Sequence, residues 1–347
     1  MDKRLILAVA GSGKTTYLID RLSESRRTLF ITYTNTNEQN LRQAIIRKFN
    51  GMPRNITVFT YFTFVYSFCY KPLTGRSAAA KGINWEPNPN RFATGDDRFF
   101  DSASRIYSNR IALLLDKKNV LGEVIERVEK YFDDIYIDEV QDFAGNDFNL
   151  LKTLAKCRAN VLFVGDYFQH TYDTSRDGKT NGTLHDDESK YKGRFKTMGL
   201  TIDDKTLDKS WRCNPEICTF VEEQLGIKIG SHRNGGSQIY VVSDAENITK
   251  MANNSRIIKL FFQAHYVYNC FSKNWGECKG QDCYDDVCIV MNDKTWKLYQ
   301  SGQLSSLPPT TKSKLYVAIT RTKANLYLIP EKLMKQFKLQ AASVNVD

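Results

Sequence analysis

Short apolar runs alternate with amphipathic stretches from the first residues of the chain. Leu5–Val9 is an apolar run of strand length that opens into glycines, and Tyr17–Leu22 then reads as helix. Thr28–Thr32 predicts a second strand and Glu38–Phe49 a second helix; Ile56–Thr60, Asp134–Ile137 and Asn160–Gly165 predict three further strands. Apolar strands separated by helices imply a parallel sheet covered on both faces. Phe64–Tyr131 breaks this rhythm. Its first half carries Pro72, Gly75, Ala78–Ala80, Gly82, Pro87 and Pro89, whereas Arg105–Tyr131 reads as helical, so a small helical insertion is expected over about residues 65–131. Asp173–Arg194 is polar and glycine-containing and predicts a flexible loop. A helix entry within Thr206–Leu225, then strands at Gln238–Val242, Asp286–Met291 and Leu326–Ile329, predict a second α/β unit. The expected domains are residues 1–200 and 201–347.

The length of 347 residues supports that division, because it exceeds an ordinary single core. Hydrophobic residues at 41% and charged residues at 25% are those of a soluble globular protein. A net charge of +10 favours a polyanionic partner, since bound phosphates release counterions. No apolar stretch approaches the length of a membrane span, and Leu5–Ala10 is too short for the core of a signal peptide. A cytoplasmic location and no membrane partner are therefore expected. Eight scattered cysteines suit a reducing compartment. Cys270, Cys278, Cys283 and Cys288 cluster without a CxxC pair, which argues against a metal site.

Candidate chemistry begins at Ala8-Val9-Ala10-Gly11-Ser12-Gly13-Lys14-Thr15, between an apolar strand and a helix. This fits a phosphate-cradling loop, with Ala8 where the strict pattern has glycine. Gly11, Ser12 and Gly13 would turn backbone N–H groups toward phosphates, Lys14 would reach the β and γ phosphates, and Thr15 would ligate Mg²⁺. Ile135-Tyr136-Ile137 delivers Asp138 and Glu139 to the carboxyl edge of the sheet, where ligands bind in such folds. Asp138 would hold magnesium, and Glu139 would polarise the attacking water.

With Val140-Gln141-Asp142, Val164-Gly165-Asp166 and Gln169 added, this pattern resembles the superfamily 1 helicases, and within them the UvrD/Rep-like group. Thr32-Tyr33-Thr34-Asn35, Thr60-Tyr61-Phe62-Thr63-Phe64, Ser210-Trp211-Arg212, Lys279-Gly280-Gln281-Asp282 and Val317-Ala318-Ile319-Thr320-Arg321 match further motifs in order, over residues 5 to 329. The resemblance implies two RecA-like domains with parallel sheets flanked by helices, and ATP with Mg²⁺ held between them. It implies arginine fingers at Arg212 and Arg321, a γ-phosphate sensor at Gln169, and base stacking by Trp211, for which a core role is the alternative. Thr16, Gly280 and Asp282 fall at nucleotide-contacting positions, Asp282 standing where relatives have a ribose-binding glutamate. Thr34, Asn35, Phe62, Phe64 and Tyr172 match positions near the single strand. Phe62, Phe64, Tyr66 and Phe68 also form an alternating stripe that suits a core.

Three departures shape the expectation. Thr174 and Ser175 replace an aromatic and an arginine that relatives carry beyond Tyr172. The stretch before Leu5 has no room for an adenine-reading glutamine, and Thr16 replaces an arginine that often flanks the base, leaving Trp211 to hold the purine. Roughly 65 residues separate Arg212 from Lys279, too few for the family's large insertion there. The resemblance thus implies a compact ATP-dependent translocase or helicase on single-stranded DNA, with 3′ to 5′ polarity and RNA as the other candidate polymer. The missing accessories leave a second reading, a nucleic-acid-stimulated regulatory ATPase that gates a nuclease or another protein partner.

Overall fold

Strands with apolar side chains on both faces are stable only when both faces are covered, and Thr28–Thr32, Asp134–Ile137 and Val287–Met291 are each buried throughout. The computed structural model describes residues 1–74, 80–171 and 179–339. It divides into two units, one of Met1–Ala8, Lys14–Tyr167 and Tyr172–Thr206, the other of Val9–Gly13, Phe168–Thr171 and Leu207–Asp347.

In the first unit β1 (Lys3–Leu7), α1 (Lys14–Asp20), β2 (Thr28–Thr32), α2 (Asn35–Phe49) and β3 (Ile56–Thr60) alternate. A short turn α3 (Tyr61–Thr63), a π-helical segment (Phe64–Tyr70) and α4 (Lys71–Leu73) lead into the insertion. There β4 (Ile83–Asn84) pairs with β5 (Ile106–Tyr107), and α5 (Ile111–Lys117) and α6 (Leu121–Tyr131) follow. The chain continues through β6 (Asp134–Ile137), α7 (Gly145–Leu154), β7 (Asn160–Gly165), α8 (Glu188–Lys196) and β8 (Thr201–Asp203). The sheet runs β3-β2-β6-β7-β1-β8, parallel at every pairing.

The second unit opens with β9 (Lys209–Ser210), α9 (Pro215–Leu225) and β10 (Gly230–Ser231). Next come β11 (Ile239–Val241), α10 (Ala245–Asn253), β12 (Ile258–Phe261), β13 (Ser272–Asn274), β14 (Val287–Met291), α11 (Asp293–Gln300), α12 (Pro309–Ile319) and β15 (Leu326–Pro330). Its sheet, β11-β15-β14-β12-β13, is also all parallel. Both units are therefore parallel sheets flanked by helices.

Two expectations are corrected. Of the loop expected over Asp173–Arg194, residues 173–178 lie outside the described ones, while residues 188–194 belong to α8, where the Asp187 side chain caps Lys190 N and Tyr191 and Phe195 are buried. Charged residues on the outer side concealed that inward pair. β12 and β13 fall outside the strands that the apolar pattern predicts. Lys259 interrupts the apolar run of β12, yet it is fully buried, its Nζ donating to Asn254 O (2.7 Å) and Ile257 O (3.1 Å). Burial lowers its pKa. Two carbonyls satisfy a charge that the sequence pattern read as a break.

At the carboxyl end of the first sheet Asp147 on α7 is buried and accepts a hydrogen bond from Tyr61 Oη at 2.6 Å. Tyr61 stacks on Tyr33 with centroids 5.6 Å apart, which ties the ends of β2 and β3 to α7. Tyr61→Phe should therefore cost about 1.5–3 kcal/mol, because it removes a hydrogen bond to a buried charged group; thermal or denaturant melting would measure it, and unchanged stability would contradict this role.

Candidate active site

Ala8 N donates to Gly165 O at 2.8 Å, extending the β1–β7 pairing by one residue before the chain leaves the sheet. The loop Val9–Gly13 belongs to the second unit. Val9 N bonds Leu207 O (2.9 Å), Ala10 N bonds Tyr316 Oη (2.9 Å), and Gly11 O accepts from Trp211 N (2.8 Å). Gly11 has φ +71°, and a Cβ there would lie 2.7 Å from Ser210 Oγ and 2.8 Å from Arg212 Cβ. Only glycine fits. Ser12 is buried and its Oγ has no hydrogen-bond partner among the described residues. Such an orphaned hydroxyl costs about 1–3 kcal/mol unless a ligand completes it, and a phosphate oxygen has the right chemistry.

Directly after the loop, Thr15 Oγ1 donates to Asp138 Oδ2 at 2.9 Å, while Glu139 N donates to Asp138 Oδ1 at 2.9 Å. Burial, then the neighbouring Glu139 charge, pushes the Asp138 carboxyl up to about 6, with Lys14 pulling the other way. The pair is short of positive charge. Thr15 and Asp138 supply hard oxygen donors that fit Mg²⁺, which takes one or two protein ligands and completes its shell with water and phosphate. Among the described residues no group of three or more His, Cys, Asp or Glu forms a richer metal cage.

Glu139 sits in the left-handed region, φ 56° and ψ 44°, a conformation held only by its surroundings. Lys14 Nζ lies 3.9 Å from its Oε1. Gln141 Nε2 donates to its Oε2, and Gln141 Oε1 in turn accepts from Asp166 N at 3.1 Å. Gly165 makes room for this bridge. A Cβ there would strike Gln141 Oε1 and come within 2.9 Å of Val140 Cγ1.

In the second unit Arg212 Nε donates to Asp282 Oδ1 at 2.6 Å and Nη1 to Thr320 O at 3.1 Å. Arg321 is 2% exposed; its Nε bonds Val317 O (3.2 Å) and its Nη1 bonds Gln281 O (2.8 Å). Among the described residues no carboxylate pairs with it, and burial followed by the Arg212 charge lowers its pKa. Gln169 is buried at the end of the turn Tyr167–Gln169, beside Phe168, whose ring meets Tyr316 at 6.0 Å. Trp211 is 64% exposed and so does not belong to a core; it stacks on His232 at 4.0 Å and 15°. Gly280 follows the turn Trp275–Cys278 with φ +78°, and Thr16 is exposed in the first turn of α1.

The expected nucleic-acid residues separate. Thr34 and Asn35 are exposed at the start of α2, where Thr34 accepts from Asn37 N at 3.2 Å. Phe62 is partly exposed. Phe64 is fully buried and stacked on Phe68 at 5.6 Å, so the expectation that it meets a base is corrected: it has no free ring face. Tyr172, like Thr174 and Ser175, lies outside the described residues. Sequence reasoning missed three groups. The Gln141 bridge stood inside a quoted motif without a role, His232 carried no signal, and Trp85 was lost in a stretch punctuated by prolines. Trp85 is 61% exposed and meets the Phe62 ring edge-on at 4.7 Å.

A family model described as AAA domain matches residues 2–175. No curated protein matches the chain. Among solved structures, an arterivirus nonstructural protein 10 (helicase) in complex with DNA is 13% identical with a TM-score of 0.50, covering 96% of this chain and 63% of that one. The helicase of PRRSV is 14% identical with a TM-score of 0.47, covering 97% and 55% respectively. The chain thus spans about three fifths of the length of the arterivirus protein, and what the two share is a fold.

Gly165→Ala should cost about 1–3 kcal/mol by overpacking against Val140 and Gln141. A melting curve superimposable on that of the parent would mean that the Gln141 bridge is loose.

Proposed function

The chain belongs to the AAA domain family, and from that premise we propose that it is a nucleic-acid-dependent ATPase of the superfamily 1 helicase type. The single observation that carries the reading is the convergence of Thr15, Asp138, Lys14 and Glu139 immediately after a loop whose Ser12 hydroxyl is orphaned. A triphosphate with Mg²⁺ answers each of these features. Bound to Thr15 and Asp138, the metal would neutralise charge on the β and γ phosphates.

The protein groups then have distinct tasks. Backbone and hydroxyl of Val9–Gly13 cradle phosphate oxygens, and Lys14 places its ammonium on them. Glu139 orients a water in line with the γ-phosphorus and takes its proton as the bond to the leaving diphosphate breaks. Gln141 is a positioning residue, fixing Glu139 to the end of β7. Arg321 and Arg212 supply positive charge for the transition state. The buried, carboxylate-free guanidinium of Arg321 is the stronger of the two cases, since such a charge is costly until an anion joins it. Gln169 is the proposed γ-phosphate sensor, the free face of Trp211 the purine platform, and Gly280 a further nucleotide contact. Asp282, engaged with Arg212, is proposed to hold that arginine in place.

The polymer is proposed to be single-stranded DNA, followed 3′ to 5′ as in the UvrD/Rep-like group, with Thr34 and Asn35 on phosphates and Phe62 under a base. Base stacking on an aromatic contributes about 1–3 kcal/mol whatever the sequence, which suits a translocating enzyme. Eight free thiols suit a reducing compartment. No helix among the described residues is long and apolar enough to cross a membrane.

Lys14→Ala and Glu139→Gln should each abolish turnover, and Glu139→Gln should still bind nucleotide, as read by fluorescence titration. Arg321→Ala should lower kcat by about 10³-fold or more, in line with other arginine fingers. Full turnover in Glu139→Gln would remove the assignment of the water-activating base.

A further inference from the structure

The carboxyl ends of the first unit's strands hold the motor motifs, but a basic, aromatic pocket lies at the opposite edge. Its volume is about 670 Å³, the size class of small-ligand sites. Arg27 directly precedes β2, Arg54 precedes β3 by two residues, and Tyr131 ends α6 just before β6, so the pocket is built at the amino ends of three parallel strands. Phe59 and Phe68 line it with Arg127.

The arginines are not equivalent. Arg27 is committed to Asp133, with Nη2 to Oδ1 at 2.6 Å. Arg127 stacks its guanidinium 4.7 Å from the Phe68 centroid and 5.3 Å from that of Tyr131, and donates Nε to Phe68 O at 3.1 Å. That leaves both of its terminal NH₂ groups without a partner among the described residues. Arg54 is exposed and likewise makes no bond or ion pair there. Tyr131 has Lys130 Nζ 5.6 Å from its centroid as a further cation, and it remains 42% exposed.

We propose that this pocket is a second contact for single-stranded nucleic acid, with a phosphate on Arg54 and Arg127 and an unstacked base against Tyr131. An anionic chain bearing flat rings matches both halves of the pocket: unpaired guanidinium forks for phosphate and open aromatic area for a base. An acidic polypeptide would satisfy only the first half. The inference rests on the nucleic-acid reading above but on none of its residues.

The experiment is binding of a fluorescent oligothymidylate to the full chain across a salt series, for the parent, Arg54→Glu and Tyr131→Ala. Arg54→Glu should weaken binding about 3–10-fold and reduce the salt slope by about 1, while Tyr131→Ala should weaken it with the slope unchanged. Hydrolysis without polymer should not change in either variant. Unaltered binding in both variants, with the parent binding normally, would overturn this inference alone. So would loss of polyglutamate binding in Arg54→Glu without loss of oligothymidylate. A parent chain that binds no nucleic acid would overturn the functional reading as well.

Discussion

Parallel strands cannot be joined by tight turns; each must be followed by a crossover that returns the chain to the starting edge. This constraint organises the first unit. The segments leaving β1, β2, β3, β6 and β7 all depart from one edge, so Lys14, Thr34, Phe62, Asp138 and Asp166 are gathered there although they are far apart in sequence. The hydrogen bond between Thr15 and Asp138 joins residues 123 positions apart. The opposite edge collects what precedes the strands, and the arginine pocket is its product. One topological rule thus separates two chemistries on one sheet.

Several motif residues carry electrostatic costs that a triphosphate and a divalent cation would relieve. Asp138 is pushed up by burial and by Glu139, a state that a cation relieves. In the second unit, Arg321 is buried among carbonyls with its pKa pulled down, a state that an anion relieves. Ser12 keeps a buried hydroxyl without a partner among the described residues. These are costs that a structure devoted only to stability would avoid, and they accumulate on the residues that the motifs single out. Glu139 adds backbone strain of its own, restrained by the Gln141 bridge and the absence of a side chain at Gly165.

Much of the fold was legible because apolar runs and glycines report burial directly. β2, β3, β6 and β7 occupy the residues that the hydrophobic pattern marked, and the phosphate loop lies between a strand and a helix as its glycines required. What was hidden follows from satisfied exceptions. β12 was masked by Lys259, whose charge is met by two carbonyls, and α8 by a charged outer side covering Tyr191 and Phe195. At the site, residue types and spacing gathered Thr15 with Asp138 and Lys14 with Glu139, because strand ends and glycine loops have fixed consequences. They did not distinguish Phe62 from Phe64, since alternation along a strand does not carry into the helical turn that follows β3. Nor did they show that Asp282 engages Arg212 or that Trp85 adjoins Phe62; such contacts between distant segments leave no local pattern.

The central claim is that this edge hydrolyses a nucleoside triphosphate in response to a nucleic-acid strand. It is tested most directly by the steady-state rate of ATP hydrolysis by the purified chain with Mg²⁺, measured without polymer and with single-stranded DNA, duplex DNA or RNA. The account predicts slow hydrolysis alone and a several-fold rise with single-stranded DNA. A rate indifferent to every polymer would contradict it.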